Sequence, residues 1–166
     1  MKVTSALGSL LAASLIVTVG VATTRADETL KLREVLHAIS VQSQDVGDVD
    51  GHTVSIARYS GLISFPDGGV GTAYFTSVLD YTKGTGPIAF VYNNFTFSDG
   101  SVLWSKQSGT TTVEGAKSLF QGTGTIIGGK GKYEGAKGDL TFNGARLVPL
   151  AAGADLYLDI VINVKK

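Results

Sequence analysis

The sequence predicts an all-β fold, an antiparallel β-barrel behind a cleavable signal peptide, and three observations predict it. Glycine supplies 20 of the 140 residues that follow Ala26, roughly double average usage. Short apolar–polar alternations recur at nearly even spacing, broken by turns rich in glycine, aspartate and proline. The segment from Gly122 to Gly144, GTGTIIGGKGKYEGAKGDLTFNG, concentrates eight glycines inside such an alternation. In a helix each glycine costs about 1 kcal/mol relative to alanine. In a strand it marks a bulge, a sharp bend or a close backbone approach, and a small barrel needs such bends at its corners.

The chain opens with a targeting pattern. Lys2 supplies a positive start, Ala6 to Ala22 is an uncharged apolar run, and Thr24-Arg25-Ala26 offers a small-residue cleavage site, with Ala22 a second position. Residues 1–26 therefore read as a signal peptide rather than a membrane anchor: the run of 17 residues sits at the short edge for a span. Residues 27–166 read as one domain, secreted or periplasmic, with no membrane span after signal cleavage.

Eight strands follow, near Lys31–Gln42, Thr53–Phe65, Val70–Tyr81, Ile88–Phe97, Val102–Thr112, Leu119–Ile127, Gly138–Leu147 and Asp155–Val164. The last is the clearest. Leu156, Leu158, Ile160, Ile162 and Val164 share one face, and Asp155, Tyr157, Asp159 and Asn163 the other, as in a sheet with one buried side. The fourth is apolar on both faces, with Phe90 and Tyr92 opposite Val91, Phe95 and Phe97. An outer wall packed on a second subunit or covered by loops would read this way. In the sixth, Thr123, Thr125 and Ile127 alternate with Gly124 and Ile126, and Gly128, Gly129 and Gly131 are expected to turn the chain. Turns are expected at Asp48–Gly51, Pro66–Gly69, Lys83–Pro87 and Ser98–Gly100, the last as a two-residue Asp-Gly hairpin. Even spacing and short turns fit a barrel or a sandwich.

Composition excludes several classes of function. After Ala26 the chain carries 12 Lys and Arg against 14 Asp and Glu, a net charge of −2. It has no basic stripe or tail, so nucleic acid is not an expected partner. It has no cysteine, which removes disulfides, thiol catalysis and Cys-ligated zinc. His37 and His52 are the only histidines and make a poor metal set, so neither a metal nor another cofactor is expected.

Gly128-Gly129-Lys130-Gly131-Lys132-Tyr133-Glu134-Gly135-Ala136-Lys137-Gly138 resembles the GG-x-G-x-[FY]-x-x-A-x-G segment of allene oxide cyclase barrels and the related dirigent proteins. Phe95-Thr96-Phe97-Ser98-Asp99-Gly100 is similar to the hairpin that precedes that segment in those families. The matching motifs cover roughly Phe90 to Leu158, and the N-terminal third matches only as alternating strand. The resemblance implies an eight-stranded antiparallel barrel of the allene oxide cyclase kind, often a homotrimer. It also implies an apolar cavity in which a reactive small molecule is folded and its stereochemistry fixed. Plant cyclases of this type use a cavity glutamate, polar residues and a bound water; none of those positions aligns here.

A barrel interior that directs a cyclisation or isomerisation needs apolar walls and one or two polar groups to hold or protonate the substrate. By residue type the catalytic candidates are Glu34, His37, Arg58, Tyr59 and Glu114, and the ligand-binding candidates Tyr92 and Trp104. A carboxylate facing an apolar lumen would have its pKa raised; the alternative for Glu34 and Glu114 is solvent. For His37, on one strand face with Val35, Ile39 and Val41, the plain reading is a hydrogen-bonded barrel histidine. Gly124 to Lys130 fits GxxxxGK by letters, but Gly131 follows where a phosphate loop needs Ser or Thr. The G-x-S-x-G elbow is absent. Asn94-Phe95-Thr96 is a glycosylation sequon inside a predicted strand. Three functions follow: a binding barrel for an apolar small molecule, a cofactor-independent cyclase or isomerase, or a structural or interaction barrel with a packed core.

Overall fold

The computed structural model describes residues 27–165, so the predicted signal peptide lies outside the described residues. Eight strands form one closed barrel: β1 (Glu28–Asp45), β2 (His52–Ser64), β3 (Val70–Thr82), β4 (Gly86–Phe97), β5 (Val102–Glu114), β6 (Lys117–Lys130), β7 (Lys137–Arg146) and β8 (Asp155–Lys165). Each pairs antiparallel with its sequence neighbours, and β8 closes on β1 from Glu28↔Val164 to His37↔Asp155. Among the described residues, closure leaves no unpaired sheet edge.

The eight predicted strands are the eight observed. Leu156, Leu158, Ile160, Ile162 and Val164 all point inward and are buried, as the period-2 pattern requires. β1 is longer than expected: its added ends, 28–30 and 43–45, are half-buried or exposed, mostly polar residues that continue the ladder. On β4, Phe90 and Tyr92 point outward, opposite the inward Val91, Phe95 and Phe97.

Three turns differ from expectation. Ser98–Gly100 is a three-residue loop: Gly100 N–H donates to the Phe97 carbonyl, Phe97 N–H to that of Ser101, and Gly100 has φ 79. The same loop recurs at Pro66–Gly68, with Gly68 at φ 88. Each aspartate fixes its loop by accepting from the backbone N–H two residues on, Asp99 from Ser101 and Asp67 from Gly69. The two-residue hairpin is Lys83-Gly84, where both residues have positive φ (53 and 83), as a type I′ turn demands. Gly128 and Gly129 stay inside β6, where Ile127 is the extra residue of a bulge opposite Trp104 and Ser105. The chain turns after them, in a 3₁₀ turn over Gly131–Tyr133.

The two ends of the barrel differ. One is sealed by Phe97, ringed by Phe65 at 5.8 Å and Tyr133 at 4.8 Å between ring centroids. The other is crossed by the segment 147–154. Gly153 N–H donates to the Ala38 carbonyl and Ala38 N–H to the Ala154 carbonyl, which pins that segment to β1. The pinning point is a bulge between Ala38 and Ser40.

Candidate functional site

Inward positions of an eight-stranded barrel are filled by side chains, and most here are apolar. A cavity of about 40 Å³ remains, walled by Phe75, Leu79, Ile88, Phe120, Phe142 and Leu158 among others. By the volume one water needs, it admits about three waters. Above it, at the end crossed by residues 147–154, lies a wider pocket of about 500 Å³. Tyr81 and Arg146 line both spaces and so mark the passage between them.

Glu34 is fully buried on the inward phase of β1, which it shares with Leu32, Leu36 and Ala38. Its register partners are Ile63 on β2 and Leu158 on β8, both apolar. Asn93 Nδ2, from β4, donates to Glu34 Oε1 at 2.9 Å. Glu34 Oε2 and Asn93 Oδ1 are buried without a hydrogen-bond partner. Burial pushes the Glu34 carboxyl up to about 8, against the smaller opposing pull of the Asn93 amide. The carboxyl is therefore largely protonated at neutral pH. The pair lies beside the cavity: Leu158 adjoins Glu34 and Phe75 adjoins Asn93 across the ladders, and both side chains line the cavity.

Tyr59 is also buried in the lumen, its ring 4.7 Å from that of Phe75. Burial raises its hydroxyl pKa, and the Arg146 guanidinium opposes that rise. Tyr81 shares a 2.6 Å hydrogen bond with Thr111 and is raised by the same burial. Gln107 Nε2 donates to Ser105 Oγ at 2.9 Å.

The other sequence candidates face outward, which corrects the expectation that they could serve the lumen. The inward phase of β1 belongs to Leu32, Glu34, Leu36 and Ala38, so His37 stands outside and meets Asp155 at 2.8 Å on β8. The bulge at Ile39 then returns Val41 to the core side, which separates it from His37. Arg58 alternates with the inward Ala57 and Tyr59, so its guanidinium lies over the outer Tyr74 ring, 5.5 Å from the centroid. Tyr92 is exposed beside Lys106, between the inward Val91 and Asn93. Trp104 packs on the outer wall against Gly128, where the absent side chain leaves room for the indole. Glu114 is the exposed last residue of β5.

Two polar residues of the lumen were missed. Asn93 lies on the apolar phase of β4 between Val91 and Phe95, and Arg146 on the β7 phase of Leu140, Phe142 and Gly144. A polar residue on a core phase was the available signal for both. Among the described residues no group of three or more His, Asp and Glu could hold a metal ion.

No protein-family model and no curated protein matches the chain. Among solved structures it is similar to a pterocarpan synthase dirigent protein, at 16% identity and a TM-score of 0.47, over 87% of this chain and 89% of that one.

Proposed function

We propose that the barrel binds a small, largely apolar organic molecule at its mouth and upper lumen, and that Glu34 takes part in a cofactor-independent cyclisation or isomerisation of it. The observation that carries this reading is the Glu34–Asn93 pair. A neutral carboxyl walled by apolar side chains is suited to give a proton to an oxygen that gains negative charge, and to recover one from a neighbouring carbon. That sequence of steps leaves the substrate's redox state unchanged and needs no cofactor. Aromatic and branched side chains around the cavity would fix the substrate's shape. We also propose export, with removal of residues 1–26; a mature N-terminus at Asp27, or at Thr23 for cleavage after Ala22, is the expected result of N-terminal sequencing.

Native mass spectrometry of protein from its own compartment, combined with titration of neutral apolar fluorescent probes, tests the binding step. A retained ligand or saturable probe binding supports it, and the retained molecule names the compounds to assay for turnover in wild type and Glu34→Gln. One observation favours a second reading, a packed structural barrel: the inner cavity measures only about 40 Å³. No retained ligand and no probe binding would favour that reading and overturn the first.

A further inference from the structure

Among the described residues no anion meets Arg146, a buried cation. Only 2% of its surface is exposed. None of the ion pairs among the described residues includes it. Its Nε donates to the Val148 carbonyl at 2.9 Å and its Nη2 to Ser118 Oγ at 3.2 Å, and the guanidinium also meets the Tyr59 hydroxyl, which burial keeps protonated; all three partners are neutral. The Phe120 ring lies 5.4 Å from the guanidinium carbon, and the influences on the buried Glu34 carboxyl are its burial and Asn93, not Arg146. A guanidinium has five N–H donors and stays charged. Taking such a group out of water is costly unless an opposite charge meets it.

The position of Arg146 shows where that charge would come from. It lines both the inner cavity and the mouth pocket. Among the described residues the mouth pocket is lined by two cations, Arg146 and Lys83, and by no carboxylate. Lys83 already meets Asp50 at 3.1 Å. Val113, Pro149 and Leu150 give the same pocket apolar walls. At about 500 Å³ it lies in the size range of ordinary organic ligands.

We infer that Arg146 is the anchor of a carboxylate-binding site, and that the barrel's ligand is an organic monoanion whose acid group seats on this guanidinium while its apolar body fills the mouth pocket. The inference rests on the small-molecule reading above and narrows it to one chemical class. Arg146 matches such a ligand because a planar fork of donors suits a carboxylate. Residues 147–154 hold the site in place through the Val148 carbonyl at one end and the Ala38 backbone bonds at the other.

Calorimetric titration of the full-length protein with 3-phenylpropanoate and, separately, its neutral isostere 3-phenylpropanamide tests this. The expected result is saturable binding of the acid, at least tenfold tighter than that of the amide. Equal affinities would overturn the carboxylate site and leave the neutral small-molecule reading standing. No binding of either up to millimolar concentration, together with no binding of neutral fluorescent probes, would overturn both. Arg146→Lys keeps the charge and loses the fork, and should weaken the acid at least fivefold and narrow the ratio of acid to amide affinity. If that variant does not fold, the wild-type ratio of acid to amide still decides. A folded Arg146→Lys protein with wild-type affinity for both compounds would remove Arg146 from the site.

Discussion

Asn93 and Glu34 face each other inside the barrel from β4 and β1, joined by a 2.9 Å hydrogen bond from the Asn93 amide to Glu34 Oε1. The bond satisfies one oxygen of the carboxyl and leaves Oε2 buried without a partner. A proton on Oε2 removes the charge that burial penalises, which is why the carboxyl moves up to about 8.

The consequence for stability has a definite sign. The unfolded chain ionises Glu34 near 4.5 and the folded chain near 8. Below pH 4.5 both states hold the proton and the group imposes no penalty. Between those values the folded state binds more protons than the unfolded one, so stability falls as pH rises, and it levels off above 8. The full span corresponds to at most about 5 kcal/mol. Glu34→Gln mimics the neutral acid and retains an acceptor for Asn93. Urea denaturation at pH 5 and pH 8 should show wild type losing several kcal/mol more than the Gln variant. Equal pH slopes in the two proteins would mean that Glu34 does not titrate in this range.

His52 makes a second pH-sensitive contact, at the mouth. Its Nδ1 meets Asp48 at 2.5 Å and its Nε2 meets Asp80 at 2.8 Å, tying the loop between β1 and β2 to the end of β3. The Asp80 and Asp48 carboxylates raise the His52 pKa, and His52 in turn lowers that of Asp48. A raised histidine contributes stability that is complete below its ordinary value of 6.5 and is lost as pH rises through the folded value. NMR titration should place the His52 midpoint above 6.5 and above that of the same histidine in Asp80→Asn. A midpoint unmoved by Asp80→Asn would show that Asp80 does not hold the proton.

Much of the fold was legible because period-2 alternation survives in the strands with one apolar face. Leu156 to Val164 on β8 is the clearest case. Glu34 was found by residue type, and its burial follows from sharing a phase with Leu32 and Leu36. His37 was harder to place, since Val35, Ile39 and Val41 make its side of β1 look equally apolar. The bulge that separates Val41 from that side leaves no mark of its own in the sequence. Arg146 and Asn93 were readable in principle, as polar residues on core phases. What alternation could not supply was their partners, because the Asn93–Glu34 contact crosses the lumen between residues 59 apart in sequence.

On the outer wall, Arg33 pairs with Asp159 through two bonds, Nε to Oδ1 at 2.7 Å and Nη2 to Oδ2 at 2.8 Å. Both side chains are well exposed, at 55% and 42%, so water already solvates the separated charges. Such exposed pairs add little to stability. Asp159→Asn should therefore shift the urea midpoint only slightly, and 0.5 M salt should reduce the difference further. A large shift would mean the pair holds the β1–β8 seam, whose backbone ladder here already runs from Glu28 to His37.

The glycines of β6 and β5 make the opposite prediction, a large effect from a small change. A Cβ on Gly122 would lie 2.5 Å from Phe142 Cζ and would also strike the Ser108 carbonyl oxygen. Gly109, its register partner on β5, has the same ring 2.9 Å from its own Cβ position. Phe142 thus lies over two facing glycines and fills the space their side chains would occupy. Gly122→Ala should cost about 1–3 kcal/mol, the usual range for overpacking. Gly135 is the control: its φ of +72 strains a side chain but nothing lies within 4 Å of its Cβ position, so Gly135→Ala should cost about 1 kcal/mol. Adding Phe142→Leu to Gly122→Ala removes the ring but not the backbone clash, so urea denaturation should find the double variant less destabilised than the sum of the two singles. Simple additivity would mean that the Phe142 ring swings clear of a Cβ at position 122, and that the carbonyl of Ser108 alone demands glycine there.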